Sequence, residues 1–347
     1  MNREPDIMKT RAAIKAIRSF LPAGKLTNDQ LAKEFGDAHA SQILAKTGVA
    51  VRGVAGPDEC ASDLGVAAAQ RLFAGGVHAP EDIDFLIFCT QSPDYFTPTT
   101  ACVMQDRLGL RTDCGAIDVN QGCSGYIYGL ALAKSLVEAG TATNVLLITA
   151  DTYTKFINRR DRSLLTLFGD GAAATLVGAM PADRELIGPF VLGTDGRGAN
   201  QIMVKAGGLR CPPSAATAVE KEDAAGNWRS EQNLFMDGAD VFGFAMKTVP
   251  DALGRLMEKC GLTLDQIDFI VPHQANKFML ERLRAKMKIP AEKFWIDMEQ
   301  CGNTVSSTIP IALESAIEKG RLKQGDRVAL VGFGVGYSWG ATLIEIV

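Results

Sequence analysis

The chain has 347 residues, enough for two domains of ordinary size. Hydrophobic residues make up 47% and charged residues 22%, which excludes a disordered chain and supplies a large core. A net charge of −4 leaves no electrostatic footprint for nucleic acid or an anionic membrane.

The eight cysteines form no C-x-x-C pair and no cluster at zinc spacing. A reducing cytoplasm is therefore expected, with neither a disulfide framework nor a metal site. The start, MNREPDIMKTR, lacks the apolar core of a signal peptide, and no apolar run reaches membrane-spanning length. A soluble, cytoplasmic protein without membrane insertion is expected.

In chain order, the Ala/Ile alternation from Arg11 predicts a strand ended by Pro22 and Gly24. Thr27-Asn28 caps a helix. Residues 38–54 predict a short helix and the turn Lys46-Thr47-Gly48. Residues 60–75 read as a helix closed by Gly75-Gly76. Ile83–Cys89 is a near-continuous apolar run fit for a buried parallel strand. A Pro- and Thr-rich loop, Ser92–Thr100, precedes a helix that ends near Leu108.

A short strand then ends in Asp118-Val119-Asn120, and the turn Gln121-Gly122 leads to Cys123. From Ser124 onward, apolar residues recur at helical spacing. Asn144–Thr149 is a further buried strand, and the turn Phe168–Gly171 leads into the strand Ala172–Val177. Residues 205–233 are polar, contain Pro212-Pro213, and predict a long loop over a site.

The order repeats in the second half. Ile267–Val271 matches Ile83–Ile87, Ile296–Gln300 matches Ile117–Gln121, and Ala341–Ile344 echoes Ala174–Val177. Three matches in register predict an internal duplication, with halves at 1–182 and 183–347. Equivalent turns of the halves would face each other. Residues 122–124 should then lie near 301–304 and near the strand end at 272–274.

Three residues gain a chemical meaning from this arrangement. Cys123 sits where a strand hands over to a helix, whose free N–H groups would lower a thiol's pKa. It reads as a nucleophile, against the alternative of a buried structural cysteine. His273 follows a buried strand directly, at the sheet edge where ligands meet α/β folds. The other two histidines, His39 and His78, read as surface residues. Asn303 heads a helix, either as its cap or as an amide donor to an oxyanion. Cys301 reads as packing. The run Gly332–Gly340 follows a strand without opening a helix. It reads as backbone that approaches the site and offers N–H groups, and not as a dinucleotide fingerprint.

Together, GCSG around Cys123, VPHQAN around His273, GNT at Asn303 and GFGVGYSWG near the end resemble the β-ketoacyl-acyl-carrier-protein synthase III family. That family belongs to the thiolase-like superfamily, and the resemblance runs over nearly the whole chain. It implies an α/β, thiolase-like, five-layered αβαβα fold of two duplicated halves, and a homodimer. It implies that Cys123 takes an acyl group from acyl-CoA, with backbone N–H groups of Cys123 and Val335 holding the oxyanion. Malonyl-acyl-carrier protein would enter next. His273 and Asn303 would hold its thioester oxygen while CO2 leaves, and Phe333 would line the malonyl site. Lys46, Arg162 and Asn276 would contact substrate. CoA and phosphopantetheine thioesters are substrates in this scheme, and no cofactor is required.

The chain departs from the family pattern in places. Val335 stands at a family glycine, though its N–H remains. A tryptophan expected on the CoA adenine is replaced by Gln42 or Ile43, and Lys46 replaces an arginine. A donor on a carrier protein thus stays open beside acyl-CoA. Either Phe96 or Thr97 fills the gate to the acyl pocket across the dimer. The segment after His273 predicts a helix packed through Phe278, Leu280, Leu283 and Met287. Its Lys277, Arg282, Arg284 and Lys286 form a basic patch for an acidic carrier protein. The rival readings are a same-fold acyltransferase that forms an ester or amide without decarboxylation, and an inactive partner subunit. Gly334-Val335-Gly336 lacks the second cysteine of a thiolase.

Overall fold

The computed structural model describes residues 9–76 and 78–347, with the backbone alone over 37–41. The segment through Met8, read above for a leader, and the side chain of His39 lie outside the described residues. The first half contains β1 (Lys9–Phe20), β2 (Gly24–Thr27), α1 (Asn28–Phe35), α2 (Asp37–Thr47), β3 (Val51–Val54), α3 (Ala61–Ala74) and β4 (Phe85–Cys89). It continues through α4 (Thr100–Arg107), β5 (Gly115–Val119), α5 (Gly125–Glu138), β6 (Asn144–Asp151), α6 (Arg162–Leu165) and β7 (Gly171–Ala182). The second contains β8 (Ile187–Thr194), β9 (Ile202–Val204), β10 (Lys221–Glu222), β11 (Trp228–Arg229), β12 (Leu234–Met236) and α7 (Gly238–Cys260). It ends with β13 (Phe269–Pro272), α8 (Lys277–Lys286), α9 (Thr308–Glu318), β14 (Arg327–Gly334) and β15 (Ser338–Glu345).

Two sheets carry the fold. One runs β1-β7-β6-β4-β5, the other β8-β15-β14-β13. β4 is parallel to both β5 and β6, as β13 is to β14, and the remaining pairs are antiparallel. So β13 takes the place of β4 and β15 that of β7, as the repeat predicts. β4 and β6 are apolar on both faces because helices cover both. Helix α3 packs on the outside of the first sheet, and α7 on the outside of the second. Helices α5 and α9 lie between the sheets and touch both. The result is five layers, αβαβα.

The middle layer explains the apolar character of α5. Tyr126, Ile127, Leu130, Ala133 and Val137 are buried against Ile309, Leu313 and the inner faces of both sheets. Gly129 has no room for a side chain, since a Cβ there would lie 3.0 Å from Leu147 Cδ2.

Three expectations need correction. Ile296–Gln300 is not a strand. The ladder stops after one parallel bridge between Ile270 and Phe294. Beyond it the Gln274 side chain replaces the missing neighbour. Its Nε2 donates to Trp295 O at 3.2 Å, and its Oε1 accepts from Asp297 N at 2.8 Å. The 205–233 segment is not wholly loop, for it forms the hairpin β10–β11. Asp161 and Asp223 hold that hairpin through Arg229. Asn303 does not head a helix directly, because α9 begins at Thr308 after a 3-10 turn.

Leu130→Ala should lower unfolding stability by about 2–5 kcal/mol, since the middle layer is walled by two sheets and cannot collapse onto the void. Urea denaturation of the two proteins measures it; a loss under about 1 kcal/mol would mean the layer relaxes.

Candidate active site

Cys123 lies in the turn before α5, whose N-cap is Ser124. It is only 7% exposed. The β14–β15 turn closes over it. A Cβ on Gly334 would come 2.8 Å from Cys123 Sγ, and one on Gly332 would come 2.8 Å from Ser124 Cα. At Gly332 backbone meets backbone, and at Gly334 backbone meets the Cys123 side chain, so neither position has room for a Cβ. The Ser124 and Ser338 hydroxyls bond at 2.7 Å and tie the two turns together.

The backbone N–H groups of Val335 and of Cys123 itself act to lower the thiol's pKa. They favour the thiolate. Burial opposes them and wins, with Asp151 adding to it, and the thiol is pushed up to about 12. This overturns the expectation of a lowered pKa. The sequence located a helix start, but desolvation of an enclosed sulfur outweighs two N–H dipoles.

His273 continues the second sheet by one bond. Its N–H donates to Val331 O at 2.8 Å, directly after β13 ends at Pro272. The side chain is buried, and its ring meets Phe333 edge-on at 5.5 Å. Nδ1 lies 2.7 Å from Thr308 Oγ1. Burial pulls the imidazole down to about 3, so it is neutral at working pH.

Asn303 is clamped by the other half. Its N–H donates to Leu167 O at 2.9 Å, and its carbonyl accepts from Gly169 N at 3.1 Å. Val305 adopts φ 56°, an uncommon backbone for a β-branched residue. Its N–H thereby reaches Asn303 Oδ1 at 3.0 Å. That bond fixes the amide. Nδ2 contacts Ala275 O at 3.4 Å, which leaves its second hydrogen for a ligand among the described residues. The two halves meet just after the predicted turns: a Cβ on Gly125 would lie 3.6 Å from Ser306 Cβ.

Two participants escaped the sequence reading. Asp151 is fully buried at the carboxyl end of β6. It accepts from Gln91 N at 2.8 Å, Ser306 N at 3.2 Å and Ser306 Oγ at 2.5 Å. Burial raises its carboxyl to about 7. A carboxylate closing the apolar run Asn144–Ala150 was the available signal. Thr308 is the other, visible in sequence only as one more residue after GNT.

The remaining candidates scatter around this core. Phe333 is buried against His273. Asn276 caps α8, accepting from Met279 N at 2.8 Å. Lys46 and Arg162 are exposed, and Arg162 lies over the Phe35 ring at 5.2 Å. Gln42 is exposed where a tryptophan was expected. Phe96 is 81% exposed and Thr97 is exposed beside it, so neither lines a pocket of its own chain.

On α8, Phe278 is 50% exposed rather than packed, and Met279 takes its buried position. Phe278 instead stacks on Phe242 at 5.8 Å, with the Arg282 guanidinium 5.2 Å from its ring. Lys277 and Arg282 are exposed, but Arg284 is occupied by Glu281 at 2.7 Å and by Ile289 O at 3.1 Å. Lys286 Nζ donates to Met246 O at 2.8 Å. The basic patch is thus narrower than the sequence implied. The turn at Lys46 adjoins it, because Gly48 packs on Lys277: a Cβ there would lie 2.7 Å from Lys277 Cβ.

Two outcomes test this geometry. A raised thiol pKa means that Cys123 alkylation, followed by peptide mass, should climb about tenfold per pH unit from pH 7 to about 10, whereas an ordinary cysteine levels off near 8.5. A plateau below about pH 9 would contradict the buried-thiol account. Gly334→Ala should slow acylation of Cys123 about a hundredfold by displacing the sulfur. Mass spectrometry of the protein after incubation with acyl-CoA measures it; an unchanged rate would mean the turn yields.

A family model for 3-oxoacyl-[acyl-carrier-protein] synthase III matches residues 117–196, and one for the C-terminal part of these proteins matches 257–346. The β-ketoacyl-[acyl-carrier-protein] synthase III of Caldanaerobacter subterraneus is 40% identical over 97% of this chain and 98% of its own length. That of Clostridioides difficile is 36% identical over 97% and 99%. A crystal structure of a 3-oxoacyl-(acyl-carrier-protein) synthase III superposes with a TM-score of 0.96, at 54% identity over 97% of this chain and all of that one. The enclosed cysteine, the buried histidine and the clamped asparagine therefore sit in a member of the β-ketoacyl-acyl-carrier-protein synthase III family.

Proposed function

We propose that this protein condenses an acyl thioester with malonyl-acyl-carrier protein, releasing CO2 and giving a 3-oxoacyl-carrier protein. The observation that carries the reading is the pairing of two donor sets in one buried site. Backbone N–H groups of Val335 and Cys123 favour the Cys123 thiolate, the His273 ring meets Phe333, next to the Gly334 that closes over the sulfur, and the Asn303 amide contacts Ala275, two residues after His273.

The first half-reaction is acyl transfer. Cys123 Sγ bonds to the thioester carbonyl carbon, and the oxyanion lies between the N–H groups of Cys123 and Val335. Collapse breaks the carbon–sulfur bond to the departing thiol, which leaves with the Cys123 proton. An acyl-cysteine remains. A sulfur that is neutral at rest suits a site that must not react with stray electrophiles.

The second half-reaction is decarboxylation. The malonyl thioester loses CO2, and the bonding pair becomes an enolate whose charge rests on the thioester oxygen. His273 and Asn303 act there as uncharged donors in a low-dielectric pocket, where such bonds are strong. The enolate carbon then attacks the acyl carbonyl, whose oxyanion returns to the N–H pair. Cys123 departs as thiolate and regains a proton.

Carrier protein would dock on the face formed by Lys277, Arg282 and the exposed ring of Phe278, next to Lys46. An acidic partner meets cations at the rim and an apolar anchor at the centre. Acyl-CoA would enter beside this face. Arg162 and Phe35 offer a cation and a ring for its nucleotide, with Asn276 near the pantetheine path.

We infer a homodimer as well. β5 ends the first sheet with a free edge, and Ile117, Tyr95 and Phe96 are exposed there or in the loop before α4. A second copy would cover these groups and bring Phe96 or Thr97 to its acyl pocket. Eight free thiols fit the reducing cytoplasm. Among the described residues no helix is long and apolar enough to cross a membrane.

Cys123→Ser should yield no stable acyl adduct by intact mass after incubation with acyl-CoA; an adduct would remove the nucleophile assignment. Asn303→Ala should slow malonyl decarboxylation about a hundredfold or more and leave acylation within about threefold. Equal loss of both would argue for a purely structural asparagine. Lys277→Glu with Arg282→Glu should raise the KM for carrier protein about tenfold and spare acyl-CoA acylation. An unchanged KM would put the docking face elsewhere.

A further inference from the structure

A neutral imidazole carries one hydrogen, on either nitrogen, and the partner of one nitrogen decides what the other presents. For His273 this choice controls the reaction. A hydrogen on Nε2 stabilises an enolate oxygen. A bare Nε2 lone pair repels it.

The partner of Nδ1 is Thr308 Oγ1 at 2.7 Å, and both groups are buried. Thr308 is the first residue of α9. Its hydroxyl has a second neighbour, Val305 O, at 3.1 Å. One hydrogen must serve one of these two contacts. If it goes to Val305 O, Nδ1 has to supply the hydrogen for the shorter contact, and Nε2 is left bare. If it goes to Nδ1, Nε2 carries the hydrogen. The contact to Nδ1 is the shorter, and imidazole nitrogen is the more basic acceptor. The edge-on ring of Phe333 at 5.5 Å confines the imidazole plane and holds the contact in place.

We infer that Thr308 donates its hydroxyl hydrogen to His273 Nδ1 and thereby holds the ring as the Nε2–H tautomer needed for decarboxylation. Thr308 is a positioning residue. It touches neither substrate nor the reacting atoms, and acts through His273. The inference rests on the condensation reading above. The acylation half-reaction does not use the His273 donor, so the two half-reactions should respond differently to loss of the hydroxyl.

The test uses the full chain labelled with 15N-histidine. The sequence has only three histidines, His39, His78 and His273, and His273→Gln identifies the third by its missing signals. Long-range proton–nitrogen correlations then read its tautomer. The wild-type protein should show Nε2–H for His273, unchanged from about pH 5 to 8, because burial holds the ring neutral. Thr308→Val should release the ring from its single tautomer and orientation, so that Nδ1–H becomes detectable. Decarboxylation by the acylated enzyme should fall about a hundredfold in kcat with little change in KM, and Cys123 acylation should be unaffected. Thr308→Ser should restore both tautomer and rate. A wild-type Nδ1–H signal overturns the inference, as does full decarboxylation by a folded Thr308→Val protein. His273→Ala separates the two claims: full decarboxylation by that variant would sink the condensation role of the histidine while leaving the tautomer assignment standing.

Discussion

The site depends on the clamp between the two halves of the chain. Asn303 belongs to the second half, yet its backbone pairs with Leu167 and Gly169 of the first. Ser306 does the same through two bonds to Asp151. These contacts lay the 3-10 turn before α9 against β6. The turn bearing Asn303 and the turn bearing Cys123 therefore have one arrangement relative to each other, set by backbone groups that have few alternative partners. Preorganisation of this kind lets an uncharged donor work at full strength when charge appears.

Burial sets the chemistry in the same place. It pushes the thiol of Cys123 up, pulls the imidazole of His273 down and raises Asp151. All three shifts favour the neutral form, for one reason: a charge in this pocket has lost its water. A neutral imidazole can serve as a hydrogen-bond donor but not as a cation, which is why the hydrogen's location on the His273 ring matters more than its pKa.

Much of the fold was legible because apolar runs and glycines are local signals. Ile83–Cys89 and Asn144–Thr149 read as buried strands, and the second-half matches to Ile83–Ile87 and Ala174–Val177 predicted the duplicated halves. Where local signals had two physical solutions, the reading failed. Ile296–Gln300 looks like Ile117–Gln121, but a side-chain amide from Gln274 replaced the ladder. Phe278 and Met279 are adjacent apolar residues on α8, and the ring went to Phe242 at the surface while the thioether went inside. Arg284 counted as a free cation in sequence, though Glu281 three residues earlier held it.

The sequence by itself singled out three candidate groups. One cysteine at a strand-to-helix turn, one histidine after a buried strand and one asparagine after a glycine turn were readable as a set, since each rests on residue type and a nearby glycine or strand. Only the tertiary structure decided in what state they act. The depth of Cys123, the lone pair that Thr308 offers to or takes from His273, and the direction of the Asn303 amide all depend on atoms far apart in the chain. Desolvation and hydrogen-bond direction are properties of the assembled pocket, so no local pattern carries them.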